Sequence, residues 1–201
     1  FPTIMKILHH LATFKYLEGL SNRVPSPEFA STYTIKPTID PTSDGVFEIS
    51  DGSIFELTIE NHADQPLYVA IFGFDPCWGV ENLVAQSGGD DYALVPPARG
   101  QHSGSKEIQL RMTIPTDYQP RSEDDKVRDV IKLFITNKPI AFPSLLLRGL
   151  RVDSSCPRDS VANAEVISDF FKLLNTESGV RSDRDTEAWM SHNFIVRTSI
   201  K

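Results

Sequence analysis

Two cysteines and five histidines are the side chains of this 201-residue sequence best suited to nucleophilic or metal chemistry. A nucleophilic thiol needs a base within hydrogen-bond reach and an environment that lowers its pKa. Cys77 stands between Pro76 and Trp78 just after an apolar run, where a small packed thiol is expected. Cys156 falls in the polar stretch Asp153 to Asp159 and reads as exposed and incidental. Ser103 follows His102 in Gly100-Gln101-His102-Ser103-Gly104-Ser105, but the string does not match the Gly-x-Ser-x-Gly elbow that presents a nucleophile between strand and helix. A hairpin loop is expected there instead.

Metal chemistry finds no better footing. Cys-x-x-Cys pairs and histidines at helical i, i+4 spacing are both missing. His9 and His10 are adjacent, about 100° apart around a helix, so they cannot share an ion. His62, His102 and His192 are isolated along the chain. The acidic residues between Asp40 and Asp51 miss the spacing of a calcium loop, and no Walker-type or dinucleotide-binding glycine pattern occurs. The expectation is a chain without cofactor, metal or catalytic residues of its own. The remaining candidates are contact residues: Asp75 and Trp78, where the chain leaves an apolar strand and turns, and Tyr68 within that strand. A tryptophan at such a turn either covers the end of a core or presents a recognition surface.

The elements that must position these residues are mostly strands. Phe55, Leu57 and Ile59 alternate with Glu56, Thr58 and Glu60, the pattern of a sheet with one wet face. Asp51-Gly52 predicts a turn upstream of it, forming a hairpin with Val46 to Ser50. Leu67 to Phe74 is apolar on both faces and predicts a central strand. Further strands are predicted over Glu107 to Ile114, Asp129 to Thr136 and Asn193 to Ile200, and the acidic stretch between Thr116 and Arg128 reads as a solvated loop. Ile4, Ile7, Leu8, Leu11, Phe14 and Leu17 recur at helical spacing between Pro2 and Gly19, and Ala164, Ile167, Phe171 and Leu174 predict a second helix over Ala162 to Asn175. The predicted architecture is mostly β: an antiparallel β-sandwich over residues 45–201 with a helical insertion near 160–175. It is preceded by a leading helix over 1–22 and a Pro-rich linker over 23–44.

Bulk properties narrow the function classes. With 27 acidic against 20 basic residues the net charge is −7, which opposes binding to a phosphate backbone and argues against nucleic acid as a partner. No apolar run approaches the roughly 20 residues that span a bilayer. Lys6, His9, His10, Lys15 and Glu18 interrupt any signal-peptide core. Two cysteines are too few for a disulfide framework and no Asn-x-Ser/Thr acceptor occurs, which points to the cytoplasm. A first residue of phenylalanine reads as a piece of a longer polypeptide.

Asn61, then Leu67-Tyr68-Val69, Phe72, Pro76, Trp78, Val80 and Leu83, followed by Leu110, Met112, Pro115 and Asp129-Val130-Ile131-Lys132-Leu133-Phe134 with Thr136, are arranged in an order that resembles the β-rich region after the protease domain of fungal caspase-like, metacaspase-related proteins. The string from His10 to Phe14 with Asn22 resembles the helix leading into that region, and Asn193 to Arg197 its closing strand. The resemblance implies a caspase-like cysteine endopeptidase upstream, whose catalytic His and Cys lie outside this chain. It also implies an accessory role in docking on that protease domain, in the same polypeptide or another protein, or in recruiting partners to it. Two other classes stay open: a sandwich binding a carbohydrate or lipid headgroup, and a hydrolase using Cys77 or Ser103.

Overall fold

The computed structural model describes residues 2–24, 26–85, 91–100, 104–114, 126–139, 146–150 and 188–199. The helix predicted for 162–175, Cys156, His102, Ser103 and most of the acidic 116–128 stretch lie outside these residues. The described chain is mostly β with an N-terminal helix. In order it forms α1 (Pro2–Gly19), α2 (Pro27–Ala30), β1 (Tyr33–Pro37), β2 (Val46–Ser50), β3 (Ile54–Asn61), β4 (Leu67–Phe74), β5 (Val80–Asn82), β6 (Ala93–Val95), β7 (Gly104–Arg111), β8 (Lys126–Thr136) and β9 (Trp189–Ser199).

These strands make a three-stranded sheet, β1-β3-β7, and a six-stranded sheet, β2-β9-β8-β4-β5, with β6 also paired to β4. Side chains alternate between the faces of a strand, so β4 and β8 each serve two layers. Val69 and Ile71 with Ile131, Leu133 and Ile135 share one buried cluster with Phe55, Leu57, Ile59, Ile108 and Leu110 of the smaller sheet. The opposite faces of the same strands, through Ala70, Phe72, Phe74, Val130 and Phe134, pack against Phe14, Leu17 and Leu20 of the α1 segment. The doubly apolar character of β4 is thereby accounted for: one face meets the small sheet and the other meets the helix.

Three expectations change. The predicted hairpin between Val46–Ser50 and the following strand does not form. β2 instead pairs with β9, while β3 belongs to the other sheet, so the Asp51-Gly52 turn is a corner between sheets. Backbone bonds hold that corner to both layers: Asp51 N–H donates to Ser199 O, and Gly52 N–H to Met112 O. Gly52 takes a left-handed φ of 76° there, which glycine adopts without a Cβ clash. Secondly, the pairing is not wholly antiparallel, because β2 and β9 run parallel. Strands joined by a long connection are free of the antiparallel constraint that a tight turn imposes. Thirdly, the stretch expected to be a Pro-rich linker carries α2 and β1. Ser26 caps α2 by accepting from Phe29 N–H, and β1 pairs with β3 from Tyr33↔Asn61 to Pro37↔Leu57. Pro37 is tolerated because it ends an edge strand.

The apolar stripe expected along α1 is divided. Phe14 and Leu17 are buried with His10 and Thr13, whereas Ile4 and Leu8 are more than half exposed. Only the second half of the helix lies over the sheet.

Candidate functional site

The hairpin between β4 and β5 is a three-residue loop, Pro76-Cys77-Trp78, closed by two flanking residues. Trp78 N–H donates to Asp75 O at 3.1 Å, Asp75 N–H to Gly79 O at 3.1 Å, and Gly79 N–H to the Asp75 carboxylate at 2.9 Å. A loop of this kind places its last residue in the left-handed region, where glycine is the usual occupant. Here that residue is Trp78, with φ of 65°. Its side chain offsets the conformational cost by contact: the indole meets the Phe14 ring edge-on with centroids 5.1 Å apart, and Lys15 Nζ lies 5.4 Å from the indole centroid. The Trp78 carbonyl accepts a hydrogen bond from His10 Nε2 at 2.8 Å. The loop is therefore bound to α1 by both its side chain and its backbone.

Glycine is required at position 79 for a different reason. A Cβ there would come within 2.2 Å of Asp75 Oδ2, so a side chain would displace the carboxylate.

Asp75 faces a second carboxylate. The β4–β8 pairing ends at Phe74↔Val130, and continuing that register sets Asp75 across from Asp129. Both line a cleft of about 520 Å³ that also takes in Glu81, Leu83, Gly73, Ile131 and the Gln109–Thr113 segment of the small sheet's edge. That volume falls within the range of small-ligand pockets. Burial, with repulsion from Asp75 second, pushes the Asp129 carboxyl up to about 6. Among the described residues no lysine or arginine forms an ion pair with Asp75 or Asp129. Arg111 reaches the cleft, but its guanidinium donates to Gly52 O at 3.1 Å. A cationic group entering the cleft would relieve the repulsion between the two aspartates.

The three contact candidates named from sequence do not converge. Asp75 lines the cleft and Trp78 sits three residues on, with its ring turned to α1. Tyr68 lies near the other end of β4, on the order of 20 Å away at a strand rise of about 3.3 Å per residue. Its ring packs edge-on against Tyr92 at 5.2 Å. Asp129 and Glu81 were not singled out from sequence. An aspartate at the head of an apolar strand is the one signal that marks the former.

Cys77 is exposed at the tip of the hairpin rather than packed, because a turn with Pro76 and Cys77 at its centre projects both outward. Its carbonyl accepts from Leu150 N–H at 2.7 Å. His62 precedes β4 and bonds Thr34 Oγ1 at 2.8 Å, so β4 separates it from Cys77. The other described histidines have local partners. His9 bonds Thr13, and the Tyr33 hydroxyl and His192 Nε2 are hydrogen-bonded at 2.8 Å. Burial lowers the pKa of His192 and raises that of Tyr33 to about 12, so both groups are neutral across that bond. Among the described residues no group of three or more His, Cys, Asp or Glu is placed to hold a metal ion, and no helix is long and apolar enough to cross a membrane.

Comparison with protein-family models and with curated proteins finds no match. The functional reading therefore rests on this geometry.

Proposed function

We propose that the chain is a non-catalytic interaction module with a β-sandwich framework, and that its acidic cleft receives a lysine or arginine side chain of a partner protein. The observation carrying this reading is the pair of facing carboxylates, Asp75 and Asp129, in a cleft roomy enough to admit a side chain, with Glu81 at its wall. Such a pair raises the cost of its own ionisation, and an incoming cation repays it. A carbohydrate site is supported less well, since sugar recognition draws on aromatic platforms and none of the described residues lining the cleft is aromatic. The resemblance to the region after a caspase-like protease domain makes such a domain the first partner to try, with the helical segment near 160–175 as a further part of the module.

The test is fluorescence anisotropy with labelled peptides that tile a caspase-like protease domain, alongside matched peptides in which Lys and Arg are replaced by Gln. Binding that depends on a basic residue and falls at least tenfold in the double variant Asp75→Asn, Asp129→Asn is the expected result. Absence of binding by every basic peptide, or binding indifferent to that double variant, overturns the reading.

A further inference from the structure

We propose that α1 sets the affinity of the acidic cleft, by holding the β4–β5 hairpin, and with it the Asp75 carboxylate, in place through His10, Phe14 and Trp78. This rests on the cleft being the binding site, as proposed above.

The chain of contacts is short. His10 is 8% exposed, and a carbonyl can only accept, so His10 Nε2–H donates to Trp78 O. The Phe14 ring braces the indole from the same helix and also meets the ring of Phe74, the last residue of β4, at 5.3 Å. Trp78 is in the left-handed region, where a bulky side chain is disfavoured and persists only when its surroundings over-determine it. Those surroundings are α1 at the indole and the Trp78 carbonyl, and the 147–150 segment at the other side of the loop, where Leu150 N–H donates to Cys77 O. Without the helix contacts the hairpin has a lower-energy alternative at position 78, and a change of φ there moves Gly79, whose N–H anchors the Asp75 carboxylate. Asp75 is also one of the residues lining the cleft.

This geometry gives α1 a positioning role. The N-terminal half of the helix, with Ile4, Met5 and Leu8 exposed, is mechanically continuous with His10. Anything that shifts the helix is transmitted to the hairpin.

The experiment reads Asp129 directly. Carboxyl-carbon NMR titration follows its midpoint, which burial and then Asp75 push up to about 6; Asp75, Glu81 and Arg111 are the other titratable and charged groups among the described residues lining the cleft. His10→Leu removes the donor to Trp78 O, and His10→Gln retains an N–H at a comparable reach. In His10→Leu the midpoint is expected to fall by roughly half a pH unit as Asp75 moves away, with affinity for the basic peptide weakening roughly threefold. His10→Gln is expected to restore both. A folded His10→Leu protein with an unchanged midpoint overturns the proposal. Should that variant fail to fold, Phe14→Leu, which keeps the site apolar while removing the ring from the indole, is read the same way. A midpoint that shifts while no peptide binds at all defeats the binding role of the cleft and leaves the coupling standing. Peptide affinity and midpoint both indifferent to α1 defeat the coupling alone.

Discussion

The Nζ of Lys132, midway along β8, donates to the carbonyl oxygen of Glu18 at 2.7 Å, so a buried ammonium closes the C-terminal end of α1. The side chain is 1% exposed, its register partner on β4 is Phe72, and its Nζ lies 5.6 Å from the Phe134 ring centroid. A cation there complements the partial negative charge of the helix terminus and satisfies a carbonyl that has no intrahelical donor. It also ties the helix to the middle strand of the larger sheet.

Burial lowers the Lys132 pKa to about 8, against an ordinary 10.5, with Glu18 acting weakly the other way. The unfolded chain therefore holds the proton where the folded chain has begun to release it, and this residue's contribution to stability rises with pH between about 8 and 10.5. Below that window the cost of burying the charge is complete. Lys132→Met removes the titration. Denaturant melts of both proteins across pH 7 to 10.5 are expected to show the native protein gaining about 2–3 kcal/mol relative to the variant over that range. Parallel curves would exclude a buried, depressed lysine.

The Asp129 carboxyl behaves in the opposite sense. Its folded pKa lies above the ordinary carboxylate value, so the folded state binds the extra proton and stability falls as pH rises from about 4 to 6. Asp129→Asn is expected to be more stable than the native protein by about 2 kcal/mol at pH 7, and equal to it near pH 4. Thermal melts at the two pH values check this. If the cleft binds basic peptides as proposed, the same variant is expected to lose that binding, so that stability and binding would move in opposite directions at one residue.

Trp78 offers a test of offsetting energies. Trp78→Ala loses the contacts with Phe14 while keeping a Cβ in the left-handed region, and a loss of about 2–3 kcal/mol is expected. Trp78→Gly loses the same contacts but relieves the backbone, so it should be the milder substitution by about 1 kcal/mol. Chemical denaturation of the pair decides. Equal losses would mean that position 78 carries no backbone strain.

Asn61, at the end of β3, is fully buried and works as a backbone surrogate. Its Nδ2 donates to Gln65 O at 2.8 Å and Pro96 O at 3.0 Å, and its Oδ1 accepts from Ala63 N–H at 2.9 Å. Asn61→Asp keeps the shape but turns a donor toward two carbonyls into an acceptor. It is expected to cost about 3 kcal/mol or more at pH 7, exceeding Asn61→Ala, because the carboxylate would be buried without a donor on that side. Urea denaturation of the two variants measures the order.

Much of the strand content is legible because burial imposes a short period. Phe55, Leu57 and Ile59 alternate and face the shared core, and the doubly apolar run from Leu67 to Phe74 is a strand covered on both faces. Less legible is what depends on pairing between distant residues. Nothing local at Val46–Ser50 says that its neighbour is β9, so a nearby turn suggested a hairpin where the chain in fact changes sheets. β1 is hidden by Pro37 and by the prolines, serines and threonines on either side of it; an edge strand accommodates a terminal proline. The cleft was half visible. Asp75 stood out at the end of an apolar strand, but Asp129 becomes its partner only through the β4–β8 register, which neither segment reveals alone.

The place of β9 in the larger sheet bears on how the protein is made. β9 lies between β2 and β8, pairing with residues some 150 positions earlier as well as with the preceding strand. Loop closure of that length is slow and goes unrewarded until both partners are present. During synthesis β2 and β8 thus wait as open edges until residue 199 has left the ribosome. Until β9 has emerged the nascent chain presents unsatisfied strand edges to its surroundings, and a chaperone that shields them is most useful over that interval.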